Sequence, residues 1–333
     1  MTSNTPRPKL SPVRVAVTIA ACMAATAAGL AVAAKPGGGG GGTTWTVRLQ
    51  LIADSIGMGY NASCTGNTTF LDLLCYSGGD QPENSYFDGT SAAVVSLADH
   101  FVAAGASTTA SKAAAQSGSE MVGGSNNFAK QAAAVVAAAG RKPVQVKVEL
   151  GGNDICNRTS TLQMYGDDTW RAAVRAGLDT LTNRLPDGSS VLLIGVPRVQ
   201  DLYDAGVEKS AGSSRVDCES FWSTYDVCQI ATRNAVYGGE DLNTRLGTIG
   251  TRQGRYNAIL LEEAQRYNGF AAQTRVEVVA ETGGAFSPGS TEVGNYSFTK
   301  DEINGGDCFH PSLLGQNTVS AVVWGNDPYS VKR

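Results

Sequence analysis

A doubly wound α/β fold with a mostly parallel central sheet, in a single three-layer α/β/α domain, is what this sequence predicts. Three observations carry the expectation. Strand-like segments alternate with helix-like ones along the chain, the order that buries a parallel sheet between two helical layers. Ser190 to Val196 is a continuous apolar run, as in a strand covered on both faces. Neither an internal repeat nor a second domain boundary interrupts the pattern after about Thr43.

The first strand is Trp45 to Ala53, where Trp45, Val47, Leu49 and Leu51 alternate with Thr46, Arg48 and Gln50. Helices are expected at about Ser91 to Ala104 and from Asn127 to Ala139, the latter Ala-rich and stopped by Gly140. Val144, Val146, Val148 and Leu150 alternate as a second strand, closed by Gly151-Gly152. Trp170, Val174, Leu178 and Leu181 share one face of a helix from about Asp168 to Leu185, with Pro186 beyond its end. After Ser190–Val196, a polar, loop-rich stretch at about 200 to 250 carries Cys218 and Cys228. A helix at about Gln253 to Tyr267, a strand at Val276 to Ala280 and a last helix at about Leu313 to Trp324 complete the pattern.

The N-terminus reads as an export signal over residues 1–34. Arg7, Lys9 and Arg14 precede an apolar run from Val15 to Ala34 that contains the small-residue cleavage pattern Ala31-Val32-Ala33. A retained membrane anchor is disfavoured by the Ala-rich composition of the run, and lipidation at Cys22 by its continuation past that residue. A Gly-rich linker at 35–43 then leads into the domain, 44–333. No later apolar stretch is long enough for a stable membrane span. A net charge of -4 without a basic cluster argues against nucleic acid as partner. Beyond Cys22 the cysteines are Cys64, Cys75, Cys156, Cys218, Cys228 and Cys308, an even set that suits disulfides in a secreted protein. Short loops suggest Cys64–Cys75 and Cys218–Cys228, leaving Cys156 for Cys308, although six cysteines can pair in other ways. With no C-x-x-C, no H-E-x-x-H and two histidines in all, a metal site is not expected.

Those two histidines narrow the search for a base. His310 has Asp307 three residues upstream, close enough across a tight turn to orient the imidazole, whereas His100 lies on a predicted helix surface with no assigned role. Ser55, in Asp54-Ser55-Ile56-Gly57 directly after the first strand, stands where sites form in parallel sheets and can act as a nucleophile. Gly151-Gly152-Asn153-Asp154 follows the second strand, and an Asn153 amide there can donate to a developing oxyanion. Taken alone, each also reads as an ordinary polar turn.

Taken in order, the three blocks resemble the SGNH (GDSL-type) hydrolase family, whose blocks read Gly-Asp-Ser-Leu, a lone Gly, Gly-x-Asn-Asp and Asp-x-x-His. The first stands here as Ala53-Asp54-Ser55-Ile56, departing at two letters; the third and fourth are intact. Gln116-Ser117-Gly118 looks like the second block, with Gly123-Gly124 as a competing alignment. The wording Gly-Gly-Asn-Asp-Ile-Cys with Asp-Cys-Phe-His is most similar to the phospholipase B-like branch. The resemblance implies a flavodoxin-like domain and a secreted esterase or lipase acting on a small-molecule or lipid ester without a cofactor. It implies Ser55 as nucleophile, His310 as base, Asp307 as its orienting carboxylate, and an oxyanion hole from Ser55, Gly118 and Asn153. Asp54, Gly152 and Asp154 would support these loops. A Cys156–Cys308 cystine would tie the Asn153 loop to the His310 loop.

Two rivals remain in view. Gly57-x-Gly59-x-x-Ala62 with Asp72 fits a dinucleotide-binding fingerprint, but Ser63, Cys64, Gly66 and Asn67 are poor material for the helix it requires. A secreted binding protein could keep the fold without the chemistry. The loops at about 76–89 and 200–250 are expected to wall the pocket, with Phe221, Trp222 and Tyr225 as candidate lining.

Overall fold

In a computed structural model, residues 45–66, 79–213, 215–269, 275–281 and 293–330 are described. The expected signal segment and linker lie outside them, as do Cys75 and Asp72. Among the described residues, five parallel strands form one sheet in the order β2-β1-β3-β4-β5: β1 Trp45–Ala53, β2 Ala106–Ser111, β3 Gln145–Glu149, β4 Ser190–Leu193 and β5 Glu277–Ala280. Every pairing is parallel, with Ala53 opposite Glu149 and Leu193 opposite Ala280. The chain runs outward from β1 to β2 and then returns to place β3 on the other side of β1. This reversal opens a crevice beyond the carboxyl ends of β1 and β3, where such sheets bind ligands.

Helices cover both faces. Among the described residues they are α1 Leu97–Ala103, α2 Phe128–Ala139, α3 Gly152–Cys156, α4 Asp167–Arg184, α5 Leu202–Ala211, α6 Cys218–Tyr225, α7 Gln229–Thr232, α8 Leu242–Gly269 and α9 Leu313–Asn326. On one face Phe128, Ala132 and Val135 of α2, Trp170, Val174 and Leu178 of α4, and Tyr256 and Leu260 of α8 pack on Val146, Val148, Val191 and Leu193. On the other, Leu97 and Phe101 of α1 and Val319 and Val323 of α9 pack on Leu49, Leu51, Leu192 and Ile194. Alternate residues of β4 thus enter opposite cores, which is why its sequence shows no polar phase. Lys147, between the inward-facing Val146 and Val148 of β3, is fully buried and pairs with Asp327 at 2.5 Å.

Local signals explain the element ends. A capping box at Ser96 and Asp99 delays α1 past the expected Ser91. Asn127 caps α2, Gly140 terminates it, and Ser312 caps α9 through the Gly315 N–H. The edge strand β2 was not expected: Ala106-Ser107-Thr108-Thr109-Ala110-Ser111 has no apolar alternation and is mostly unburied. The 200–250 stretch, expected as loop, holds α5, α6 and α7 and the start of α8. His100, on α1, stacks on Trp324 of α9 with ring centroids 5.4 Å apart.

Candidate active site

At the end of β1 the chain turns sharply. Asp54 Oδ1 accepts the Ile56 N–H at 2.9 Å, and the Ser55 carbonyl accepts the Tyr60 N–H at 3.0 Å. No helix follows through Gly66, so the glycine pattern that suggested a dinucleotide site belongs to a series of turns. The turns set the Ser55 hydroxyl at the mouth of the crevice, at the junction of two arms of one cleft.

From the other side comes the loop before α9. Its ends are joined by a bridge between Ile303 and Pro311, and the Asn304 N–H donates to the His310 carbonyl at 2.8 Å. Asp307 Oδ1 accepts from the backbone N–H groups of Phe309 and His310, both at 2.9 Å, and from the Asn304 amide at 2.8 Å. Asp307 Oδ2 accepts from the Asn61 amide at 2.9 Å and faces His310 Nδ1 at 2.8 Å. Burial pushes this carboxyl up, but the adjacent imidazole and these hydrogen bonds outweigh burial and hold it below its ordinary range. His310 Nε2 lies 2.9 Å from Ser55 Oγ. With Nδ1 held by the carboxylate, Nε2 is left to accept the serine proton, so the three side chains form one line for proton transfer. The Tyr60 ring, tilted against the imidazole at a centroid distance of 4.7 Å, limits its rotation.

The third loop opens at Gly151, whose φ of +127° and a would-be Cβ only 2.6 Å from Val196 leave room for glycine alone. It leads into α3. There the Asn153 amide nitrogen donates to Asp54 Oδ2 at 3.1 Å and to the Ser119 carbonyl at 3.0 Å, tying β1, β3 and the 116–122 segment together. Asp154 accepts the N–H groups of Met121 at 2.6 Å and Val122 at 3.0 Å, and the Gln116 N–H donates to the Ala53 carbonyl at 3.1 Å. These bonds hold Gly118, with φ +80°, on the wall of the cleft shared by Ser55, Asn153 and His310. Gly123, its rival in the sequence, packs against Glu120 and Tyr165. Gly152 sits below the amide, its would-be Cβ 3.8 Å from Asp54 Oδ2. Burial pushes Asp54 up to about 6, against the opposing pull of the Ile56 N–H, His310 and Asn153. It pushes Asp154 up to about 7, against its two backbone donors.

The expected cystines need correction. Cys156 bonds to Cys228 and Cys218 to Cys308, in place of Cys218–Cys228 and Cys156–Cys308. Helix α6 lies between Cys218 and Cys228, so closeness in sequence does not bring their Cβ atoms together. Instead Cys218 at its start meets the His310 loop, and Cys228 beyond its end meets α3. The Cys64–Cys75 pairing lies outside the described residues. The α6–α7 segment is thereby joined covalently to both loops, and the Trp222 indole N–H adds a bond to the Asp307 carbonyl at 3.1 Å. Trp222 is buried beneath the loop, while Phe221 and Tyr225 line the cleft as expected.

Sequence reasoning passed over Asn61, Asn304 and Tyr60. Asn304-Gly305-Gly306 carries turn chemistry just upstream of Asp307, a signal that could have singled out Asn304. Nothing in the sequence links Asn61 to a carboxylate 246 positions away. Among the described residues, no group of three or more His, Cys, Asp or Glu is placed to hold a metal ion.

No family model and no curated protein matches the chain. Among solved structures, two crystal structures align with a TM-score of 0.44, one at 13% and one at 11% identity. Each covers 84% of this chain, and 95% and 96% of their own. A family two carbohydrate esterase from Clostridium thermocellum, in complex with cellohexaose, aligns at 13% identity and TM-score 0.37 over 86% of this chain and 66% of its own. A protein assigned as a GDSL-like lipase from Parabacteroides merdae aligns at 10% identity and TM-score 0.35 over 85% and 96%.

Proposed function

We propose that this chain is an exported, serine-dependent carboxylic ester hydrolase. The observation that carries the reading is the continuous line Ser55 Oγ, His310 Nε2, His310 Nδ1 and Asp307 Oδ2, with links of 2.9 and 2.8 Å. A hydroxyl so paired gives up its proton to the imidazole as it attacks an ester carbonyl, forming the Ser55 Oγ–carbon bond and an oxyanion. Asp307, ionised across the working range, stabilises the imidazolium and fixes its tautomer. His310 then returns the proton to the departing alcohol, leaving an acyl-serine. Water, deprotonated by the same imidazole, releases the acid and restores Ser55.

The oxyanion is received by the N–H groups of Ser55 and Gly118 and by the Asn153 amide. The Asn153 amide nitrogen is held by Asp54 and the Ser119 carbonyl. Preorganised donors of this kind contribute on the order of a hundredfold or more each. Asp54 and Asp154 orient the donors and take no part in bond changes. Export rests on the N-terminal segment at residues 1–34, and two cysteine pairs at bonding distance are compatible with an oxidising compartment.

A fluorophosphonate probe tests the proposal. Stoichiometric labelling mapped to Ser55, and lost in Ser55→Ala, is the expected result. A folded protein that is not labelled returns the non-catalytic binding reading, and labelling at another residue removes Ser55 as the nucleophile.

A further inference from the structure

Ser55, Asn153 and His310 border both arms of the cleft, and the arms differ in chemistry. The first arm is a narrow slot between Pro197, Val199, Leu202, Phe298, Ile303 and Phe309. Its one charged side chain beyond the reacting centre, Arg198, is neutralised by Asp201 through contacts of 2.5 and 3.0 Å. The second arm is wider, and polar groups from Tyr60, Asn61, Ser117 and Tyr225 line it. There Phe221 and Tyr225 form an aromatic shelf with ring centroids 4.5 Å apart, and Tyr225 is 65% exposed at the rim.

A tetrahedral centre on Ser55 has two substituents to place besides its oxyanion: the acyl chain and the alcohol. The apolar arm offers nothing to a hydroxylated alcohol, whose groups would lose water without gaining a partner. It can bury methylenes. The wider arm can hold a bulky alcohol between hydroxyls and aromatic faces, open to water. Resting on the ester hydrolase reading above, we infer that the Leu202–Phe298–Ile303 arm binds the acyl chain and the Tyr60–Tyr225 arm the alcohol. Leu202 and Phe298 are then specificity-determining for the acyl group, and Tyr225 for the alcohol.

The test is a series of 4-nitrophenyl esters from acetyl to dodecanoyl. Burial of a methylene corresponds to about a fourfold gain in kcat/KM per added carbon over the first few carbons, followed by a plateau when the arm is filled. Leu202→Trp should lower the octanoyl-to-acetyl ratio of kcat/KM by at least tenfold. Tyr225→Ala should leave that ratio in place and change selectivity among octanoyl esters of different alcohols. Should Leu202→Trp fail to fold, Phe298→Ala and inhibition of the unaltered protein by alkylboronic acids of increasing length give the same answer, the latter tightening with length. A flat or falling series from acetyl to octanoyl, with acetyl ester still hydrolysed, overturns the acyl assignment and leaves the hydrolase reading intact. No turnover of any ester, together with no labelling of Ser55, overturns both.

Discussion

Replacing Cys218 and Cys308 together by serine removes the covalent tie between α6 and the loop that carries the proposed base. The bridged positions are 90 residues apart, and both side chains are buried at 0% and 1% exposure. Loop-closure entropy for a span of that length gives a loss of about 4.6 kcal/mol on the chain-entropy account. At about 2 °C per kcal/mol for a domain of this size, the melting temperature should fall by roughly 9 °C. Turnover should fall further than stability alone requires. Cys308 stands between Asp307 and His310 at a left-handed φ of 54°, so its release lets the loop relax away from the Ser55 hydroxyl. A displacement of about 1 Å at a reacting pair costs on the order of a hundredfold. Calorimetry with ester kinetics, both well below the lowered melting temperature, reads the two effects separately. The Cys156→Ser/Cys228→Ser pair provides the contrast, since its span of 72 residues predicts a similar loss of stability while the affected loop carries Asn153 rather than His310. A Cys218→Ser/Cys308→Ser protein that melts within about 2 °C of the parent, with unchanged kcat/KM, would refute the reasoning.

Asn153→Ala should lower kcat by on the order of a hundredfold or more with little change in KM, because an oxyanion donor acts on the transition state; a change in KM alone would contradict that role. Asp307→Asn should leave the protein folded but cut kcat on the order of ten-thousandfold, as the imidazole loses its tautomer and counter-charge; near-normal turnover would remove Asp307 from the line. Glu149, at the end of β3 and buried, has its carboxyl pushed well up, first by burial and then by Asp54. The fold therefore favours its protonated form, and that contribution is fully present below the unfolded value near 4.5 and lost as pH rises above it. Glu149→Gln should accordingly raise the melting temperature at pH 8 by an amount that shrinks toward pH 4, and a constant difference across that range would count against it.

What the sequence shows depends on how local each signal is. Strand β1 and the turn at Ser55, the strand ending before Gly151, and Asp307 three residues before His310 are short-range patterns, and the structure brings Ser55, Asn153, Asp307 and His310 to one crevice. Edge strand β2 escaped because Ser and Thr facing solvent leave no hydrophobic phase to read. Cystine pairing escaped because it is decided by where α6 lies, and loop length carries no information on that. The position of Gly118 on the cleft wall depends on Asp154 gripping Met121 and Val122, a contact spanning more than thirty positions. Asn61 reaches Asp307 only through the folded turn after β1.

The most direct measurement of the central claim is the identity of the covalent intermediate. Rapid mixing with a 4-nitrophenyl ester, acid quench and peptide mass analysis should find one acyl group on the peptide containing Ser55, formed in a burst and absent from His310→Ala. Steady ester turnover by Ser55→Ala, or an acyl group on any other residue, would contradict the account.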